Sequence, residues 1–158
     1  MLLPRLLKTY DELHHGDCWI DYNAVNVINN ISAPQALKKA YEGGNAIWQV
    51  VNHLSYWRIR VGNRLLYGKD VPPPGDDFFL PEDVSEEAWQ QTRDAFQAAY
   101  EFIYQAIMNL DETKLDEIIN GCATSYYKQI AGTIEHDAFH LGQIVLLARA
   151  QGVEFNRQ

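Results

Sequence analysis

Apolar side chains recur every three or four residues in four long stretches of this chain, which is the spacing of an amphipathic α-helix. These stretches cover approximately residues 3–15, 45–67, 85–110 and 125–151. Glycine, the residue that most often ends a helix, follows three of them, at Gly16, Gly68 and Gly152. Ser85, followed by two glutamates, is a favourable N-cap for the third. The pattern therefore predicts four long helices.

Weaker patterns lie between these stretches. Val25, Ile28 and Ile31 predict a short helical piece, and residues 32–44 predict one or two helical turns ended by two glycines. Residues 69–84 contain three consecutive prolines, which cannot propagate a helix or a central strand, so we expect an irregular surface connection there. No alternating β-branched run predicts a strand. The expected fold is all-α, a four-helix bundle forming one domain over residues 1–158.

The composition excludes several classes of protein. Apolar residues make up 47% and charged residues 22% of 158 residues, which is ordinary for a globular domain. The net charge of −8, with 13 scattered Lys and Arg, argues against a nucleic-acid surface. Cys18 and Cys122 form no CxxC pair, so neither a disulfide framework nor a zinc knuckle is indicated. The N-terminus lacks a signal-peptide core and no membrane span is evident, so we expect a cytoplasmic protein.

Two histidines interrupt the apolar face of the fourth predicted helix. His136 and His140 lie four residues apart in the stretch TIEHDAFHLGQIVLL. Positions i and i+4 lie on one face of a helix, one turn apart, so both rings should point inward at the edge of the core. A buried imidazole without a partner costs about 1 to 3 kcal/mol. These residues therefore need an explanation that hydrophobic packing does not supply.

A third histidine, His53, occupies the apolar side of the second long helix, where Val50, Trp57 and Val61 flank it. If the two helices face each other, three imidazoles meet. Zn²⁺ or Ni²⁺ would take a nitrogen lone pair from each ring and keep a coordination position open, which is the pattern of catalytic rather than structural zinc. In the alternative interpretation no metal is involved. His136 and His140 are then two histidines whose hydrogen bonds are satisfied by ordinary partners, and His53 is a residue at the edge of the core with one hydrogen bond.

Asp137 suggests a rival interpretation. His136, Asp137 and His140 form an H-D-x-x-H variant of the zincin motif, with Asp in the place of the general base. That hypothesis is weak, because Glu154 is the sole acidic residue after His140 and no strands are predicted to hold a peptide. We interpret Asp137 and Glu135 instead as helix-flank charges or as partners that orient an imidazole.

Other histidines and aromatics fit simpler roles. His14 and His15 are predicted to be exposed near the C-terminus of the first helix, where the helix dipole favours a positive charge. Most of the aromatic residues are expected to pack between helices. Trp57 is the exception, because it lies one turn beyond His53 on the same side and is a candidate for lining a pocket.

The chain resembles the DinB-like superfamily of metal-binding four-helix bundles, which includes YfiT-like proteins. The segments that carry the resemblance are IWQVVNHLSYW, PEDVSEEAWQ and, most specifically, EHDAFHLGQIVLLARAQG. The resemblance covers roughly residues 16–152. It implies an up-down-down-up bundle, frequent homodimers, and a divalent metal ion held by His53, His136 and His140. Many relatives carry another histidine where this chain has Asn45.

The resemblance implies a function less specifically. Relatives transfer low-molecular-weight thiols such as bacillithiol, isomerise with mycothiol, or are described as metal-dependent hydrolases, and DNA binding is not implied. The function expected here is a metal-dependent thiol transferase or hydrolase acting on a small molecule, with a thiol as co-substrate. Trp57, Thr133 and Gln143 are predicted to position that substrate, with the proline-rich loop near the mouth. The alternatives are a non-catalytic metal- or ligand-binding stress-response bundle and, less favoured, a zincin-like protease.

Overall fold

The computed structural model describes residues 1–156, which contain six α-helices and a short 3-10 helix at Glu112–Lys114. The α-helices are α1 (Leu3–His15), α2 (Ala24–Asn29), α3 (Ala33–Leu37), α4 (Ile47–Tyr67), α5 (Glu86–Met108) and α6 (Tyr126–Arg149). The four long ones match the predicted stretches to within a few residues. Within the described residues there are two isolated β-bridges and no strand. None of these helices is both long enough and apolar enough to cross a membrane.

The four long helices form a bundle with the predicted up-down-down-up order. Residue numbers rise together across the α4–α5 contact, so these helices are parallel. They run in opposite directions across the α4–α6 and α1–α5 contacts, so α6 and α1 are antiparallel to that pair. The contacts that fix these directions are Trp48–Thr92 and Arg58–Phe96, then His53–His136 and Arg64–Gln129, then Tyr10–Tyr100 and His14–Gln97.

The proline-rich connection makes the parallel pair possible. Residues 69–85 run back along α4, so that α5 begins at the end where α4 began. Amide side chains of α4 hold this return segment by donating hydrogen bonds to its carbonyl groups. The pairs, in order back along the helix, are Asn63–Val71, Asn52–Phe79 and Gln49–Phe78, at 2.9, 2.9 and 2.8 Å. Prolines have no N–H to satisfy, so a segment held through its carbonyls tolerates three of them.

The weaker predictions needed correction. Helix α3 ends at Leu37, several residues before the glycine pair, because Lys38 already has an extended backbone. In α2, Val27 and Ile28 are buried while Val25 is only half-buried, so the inward face is shifted from the predicted one. Both segments are short, and a short helix is oriented by what it packs against rather than by its own pattern.

A polar layer divides the core of the bundle into two hydrophobic clusters. One cluster contains Trp48, Leu54 and Trp89, and the other contains Ile103 and Ile130. The layer between them consists of His14 from α1, Arg58 from α4 and Asp137 from α6, exposed by 0, 1 and 3%. The Arg58 Nε donates to Asp137 Oδ2 at 2.8 Å, and its guanidinium lies over the Phe96 ring at 3.9 Å. Three helices are thereby tied together at mid-height.

The prediction that His14 is exposed was wrong, whereas His15 is exposed as expected. His14 follows Tyr10 by one helical turn on the inward face of α1. Its ring stacks on Tyr100 with centroids 3.7 Å apart, and its Nε2 lies 2.8 Å from Gln97 Oε1. Burial and, to a smaller extent, the Arg58 charge together lower the pKa of His14 to about 3. His14 is therefore a neutral core residue.

We predict that His14 makes the protein less stable in mild acid. Its folded pKa of about 3 lies below the ordinary 6.5, so below pH 6.5 the unfolded chain binds a proton that the folded chain excludes. Stability attributable to His14 is complete above that pH and falls by about 2 kcal/mol over the first one and a half pH units below it. Urea unfolding of wild type and His14→Gln between pH 7 and 5 measures this difference.

The matched control for that experiment is His15→Gln, which changes the exposed neighbour. It should keep the pH dependence of the wild type, while His14→Gln should show a shallower one. Parallel curves for wild type and His14→Gln would contradict a neutral buried His14.

Candidate metal centre

Three imidazoles meet where α4 faces α6. His53, His136 and His140 each offer one ring nitrogen, and these three atoms all lie within 4.8 Å of one another. The Nε2 atoms of His53 and His136 are 3.0 Å apart. The ring centroids of His53 and His140 are 4.7 Å apart, and those of His136 and His140 are 4.5 Å apart. The two helices thus bring together the residues that the spacing had selected.

Oxygen acceptors outside the cluster fix the orientation of two of the rings. His53 Nδ1 lies 2.9 Å from Asp77 Oδ2, and His140 Nδ1 lies 2.7 Å from Gln143 Oε1. An oxygen of this kind accepts, so each Nδ1 carries the hydrogen and each Nε2 keeps its lone pair. His136 Nδ1 faces Asp137 Oδ1 at 3.6 Å, which is beyond hydrogen-bond distance. The lone pairs of His53 and His140 are therefore available inside the cluster.

The environment keeps the imidazoles of His53 and His140 neutral. His53 and His140 are 7 and 9% exposed. Burial lowers the pKa of His53 to about 4, with a smaller lowering from the other two histidines that outweighs the effect of Asp77. Burial also lowers the pKa of His140, partly opposed by its bond to Gln143. Neutral imidazole is the form that binds a metal ion, so the site is suited to ligation at neutral pH.

The return segment of the fold supplies one side of this cluster. Asp77 Oδ2 accepts from His53 and also from Trp57 Nε1, at 3.3 Å. The Phe78 ring stacks on the His53 ring, with centroids 3.9 Å apart and planes 17° apart. The sequence placed this loop near the site but did not identify Asp77 or Phe78. The sequence indicated only that Asp77 and Phe78 belong to this loop. The loop has no periodic pattern, so nothing predicts which of its side chains turns inward.

Two cavities flank the cluster and separate the residues predicted to bind substrate. One cavity of about 360 Å³ is lined by His53 and His136 and also by two of those residues, Trp57 and Thr133. A second cavity of about 410 Å³ lies on the side of His140. Gln143 and Asn45 line the second one. Gln143 thus has a definite role beside His140, while Trp57 and Thr133 share the first cavity with the other two histidines.

Asp137 forms an ion pair with Arg58 instead of lining a cavity. Burial disfavours its charge, but the Arg58 guanidinium together with His136 outweighs burial and lowers the pKa of Asp137. The carboxylate lines neither cavity, and its Oδ1 has no hydrogen-bond partner among the described residues. Glu154 does not belong to the cluster of possible ligands. This arrangement does not suit the zincin hypothesis, which needs an accessible general base and a third ligand after His140.

The comparison with protein families agrees with this fold. A family model described as the DinB superfamily matches residues 22–144. The chain therefore belongs to the DinB superfamily, which confirms the resemblance drawn from its sequence. No curated protein and no solved structure matches the chain at a significant level.

We predict that the Arg58–Asp137 pair is essential for stability. Removing one partner leaves a buried charge without compensation, so Arg58→Leu and Asp137→Leu should each lower the free energy of unfolding by about 3 to 5 kcal/mol. The double variant should lose less than the sum of the single losses, because no charge remains unpaired. Urea unfolding measures all three. The matched control is Glu135→Ala, which breaks the exposed pair with Lys128 and should cost less than about 1 kcal/mol.

Proposed function

We propose that this chain is a metal-dependent enzyme in which His53, His136 and His140 hold one divalent cation, zinc or nickel. In this proposal a small thiol or water is activated there and reacts with a small-molecule substrate. The observation that carries the proposal is the orientation of His53 and His140, whose Nδ1 atoms meet oxygen acceptors and whose Nε2 atoms therefore keep their lone pairs. A homodimer, which the family resemblance implies, stays a prediction.

The dimensions of the cluster fit one ion. At a metal–nitrogen distance of about 2.1 Å, tetrahedral ligand atoms lie about 3.4 Å apart. The ring nitrogens here lie within 4.8 Å of one another, and the closest pair is at 3.0 Å. Small rotations of the side chains suffice to equalise these separations. Without an ion, the 3.0 Å contact is a hydrogen bond between the two rings, which a bound cation would replace.

A bound divalent ion would supply the electrophilic centre that lowers the pKa of a thiol or of water. The residues of the chain then have three tasks. Asp77 and Gln143 hold the imidazoles in the ligating tautomer. Phe78 and Trp57 shield the cluster from solvent on the His53 side. Thr133 would contact the substrate, a role supported by its position in the lining of the cavity beside His136.

In the thiol reaction, the sulfur forms a bond to an electrophilic carbon of the substrate as the bond from that carbon to the leaving group breaks. The electron pair leaves with that group and the thiol proton passes to water. Cysteine with 1-chloro-2,4-dinitrobenzene tests this step, since chloride leaves and the aryl thioether absorbs light. A rate above that of the metal-free protein would support catalysis. A rate unchanged by metal would favour the non-catalytic metal- or ligand-binding bundle.

We predict that His53→Ala loses most of its bound metal. Elemental analysis of zinc-loaded wild type should give about one ion per chain, and the variant should retain only a small fraction because two imidazoles bind far more weakly than three. The matched control, His15→Ala, removes an exposed histidine outside the cluster and should leave the metal content unchanged. Equal metal content in His53→Ala and wild type would exclude the three-histidine centre.

Chelation distinguishes a structural ion from a catalytic ion, because only the loss of a structural ion unfolds the protein. The two hydrophobic clusters of the core contain none of the three histidines. Chelation should therefore shift the melting temperature of the wild type modestly, by mass action alone. Complete unfolding on chelation would show that the ion is structural.

We predict that Asp77→Asn weakens metal binding by about 10- to 100-fold without changing the fold. An amide at this position no longer supplies a charged acceptor for the His53 Nδ1–H, so the ligating tautomer loses its stabilisation. Competition with a chromophoric zinc chelator measures the affinity. The matched control is Asp76→Asn, because Asp76 is the exposed neighbour and, within residues 1–156, accepts a hydrogen bond only from the Phe78 backbone N–H. Equal affinities for the two variants would contradict the role of Asp77.

A further inference from the structure

The cavity of about 360 Å³ beside His53 and His136 has a distinct charge. Its lining includes two cations, Arg64 and Lys128, and no Asp or Glu among the described residues. The chain as a whole has the opposite balance, with 21 acidic and 13 basic residues. The positive side chains of this cavity favour the binding of an anion, because the net negative charge of the rest of the protein would repel one.

Arg64 keeps donors available after its internal contacts are made. Its Nε donates to Asp70 at 2.7 Å and its Nη1 donates to Gln129 at 2.8 Å. Its Nη2 has no acceptor within residues 1–156. The two contacts fix the guanidinium, so a ligand would meet a donor that is already oriented and loses little side-chain entropy on binding.

The charge of Arg64 is not cancelled by Asp70. The same carboxylate also accepts two hydrogen bonds from Arg60, at 3.0 and 2.6 Å. The arginine side-chain hydrogen bonds hold the pKa of Asp70 well below its usual range, so it carries one negative charge against two positive ones. The group formed by Arg60, Arg64 and Asp70 therefore keeps one net positive charge beside the cavity. Lys128 adds a second, since its partner Glu135 is exposed and such pairs are weak.

The cations lie at the opposite end of the cavity from the histidines. Arg64 is 11 residues beyond His53 on α4, and Lys128 is 8 residues before His136 on α6. At about 1.5 Å per residue, these offsets correspond to about 12 to 16 Å along the helices, in the same direction because α4 and α6 are antiparallel. Trp57 and Val61 line the stretch between them.

We propose that this cavity binds a small extended molecule with an oxyanion group at one end, held by Arg64 with help from Lys128, and an apolar middle against Trp57 and Val61. This inference rests on the proposed function in one respect, since it places the reacting end of the molecule at the three histidines. Arg64 is then a residue that determines specificity. It selects anionic substrates over neutral ones of the same length.

The test uses metal-free protein and three probes with the same six-carbon tail: hexanoate, 1-hexanol and hexylammonium. Binding is followed by NMR through the indole N–H signal of Trp57, assigned with Trp57→Phe. Wild type should bind hexanoate about tenfold more tightly than 1-hexanol, and hexylammonium most weakly, as expected for one charge-assisted contact. Hexyl phosphate in a parallel titration distinguishes a phosphate-type from a carboxylate-type substrate.

The decisive variants are Arg64→Gln and Arg60→Gln. Each removes one positive charge near Asp70, but Arg60 does not line the cavity. The preference for hexanoate should fall to about twofold or less in Arg64→Gln and remain several-fold in Arg60→Gln. An equal loss in both variants would assign the preference to overall charge and overturn the role of Arg64.

Equal affinity of wild type for hexanoate and 1-hexanol, or no shift of the Trp57 signal with hexanoate, would overturn the proposal as a whole. Neither result depends on a bound ion, because the protein is metal-free. Failure of the metal centre would appear instead in the metal content of the wild type. The two proposals can therefore fail separately.

Discussion

The buried ion pair between Arg58 and Asp137 is the interaction on which the placement of the site depends. It joins α4 to α6 five residues from His53 and directly beside His136. A slip of α6 by one residue would rotate Asp137 away from Arg58 by about 100° and would move both of its histidines off the facing surface. Apolar packing tolerates such slips better than a buried charge does, since a charge has few acceptable partners. The ion pair therefore sets the register that brings the imidazoles together.

The return segment adds a second constraint of the same kind. Because it runs back along α4, its carbonyls meet amide side chains on the helix, and its Asp77 and Phe78 meet His53. A short turn after α4 would have made α5 antiparallel and left the His53 ring without an oriented acceptor. The length of the connection is thus linked to the chemistry of the site. The proline-rich composition suits this role, because the segment is held through acceptors rather than donors.

The sequence predicted those parts of the structure that follow from helical periodicity. The four long helices and the shared face of His136 and His140 follow from local spacing, and the resemblance supplied the order of the helices. Periodicity was overridden at His14, which lies one turn from Tyr10 on the inward side of α1 but was assigned to the surface because the helix dipole favours a charge there. It also gave no means of finding Asp77, Phe78 or the partner of Asp137. These contacts join residues far apart in the chain, and a local pattern contains no information about them.

The division of tasks between the elements also explains why the site is asymmetric. Its ligands come from α4 and α6, and their hydrogen-bond partners from the return segment and from α6 itself. Helices α1 and α5 contribute to the polar layer instead, where His14 and the Phe96 ring surround Arg58. The half of the bundle formed by α1 and α5 thus supports the polar layer, while the other half contains the candidate metal centre. Cavities open on both sides of the imidazoles, and of these two the one beside His53 and His136 is lined by Arg64 and Lys128. Under the proposals made above, the cations would hold one end of a ligand in this cavity and leave its other end beside the histidines.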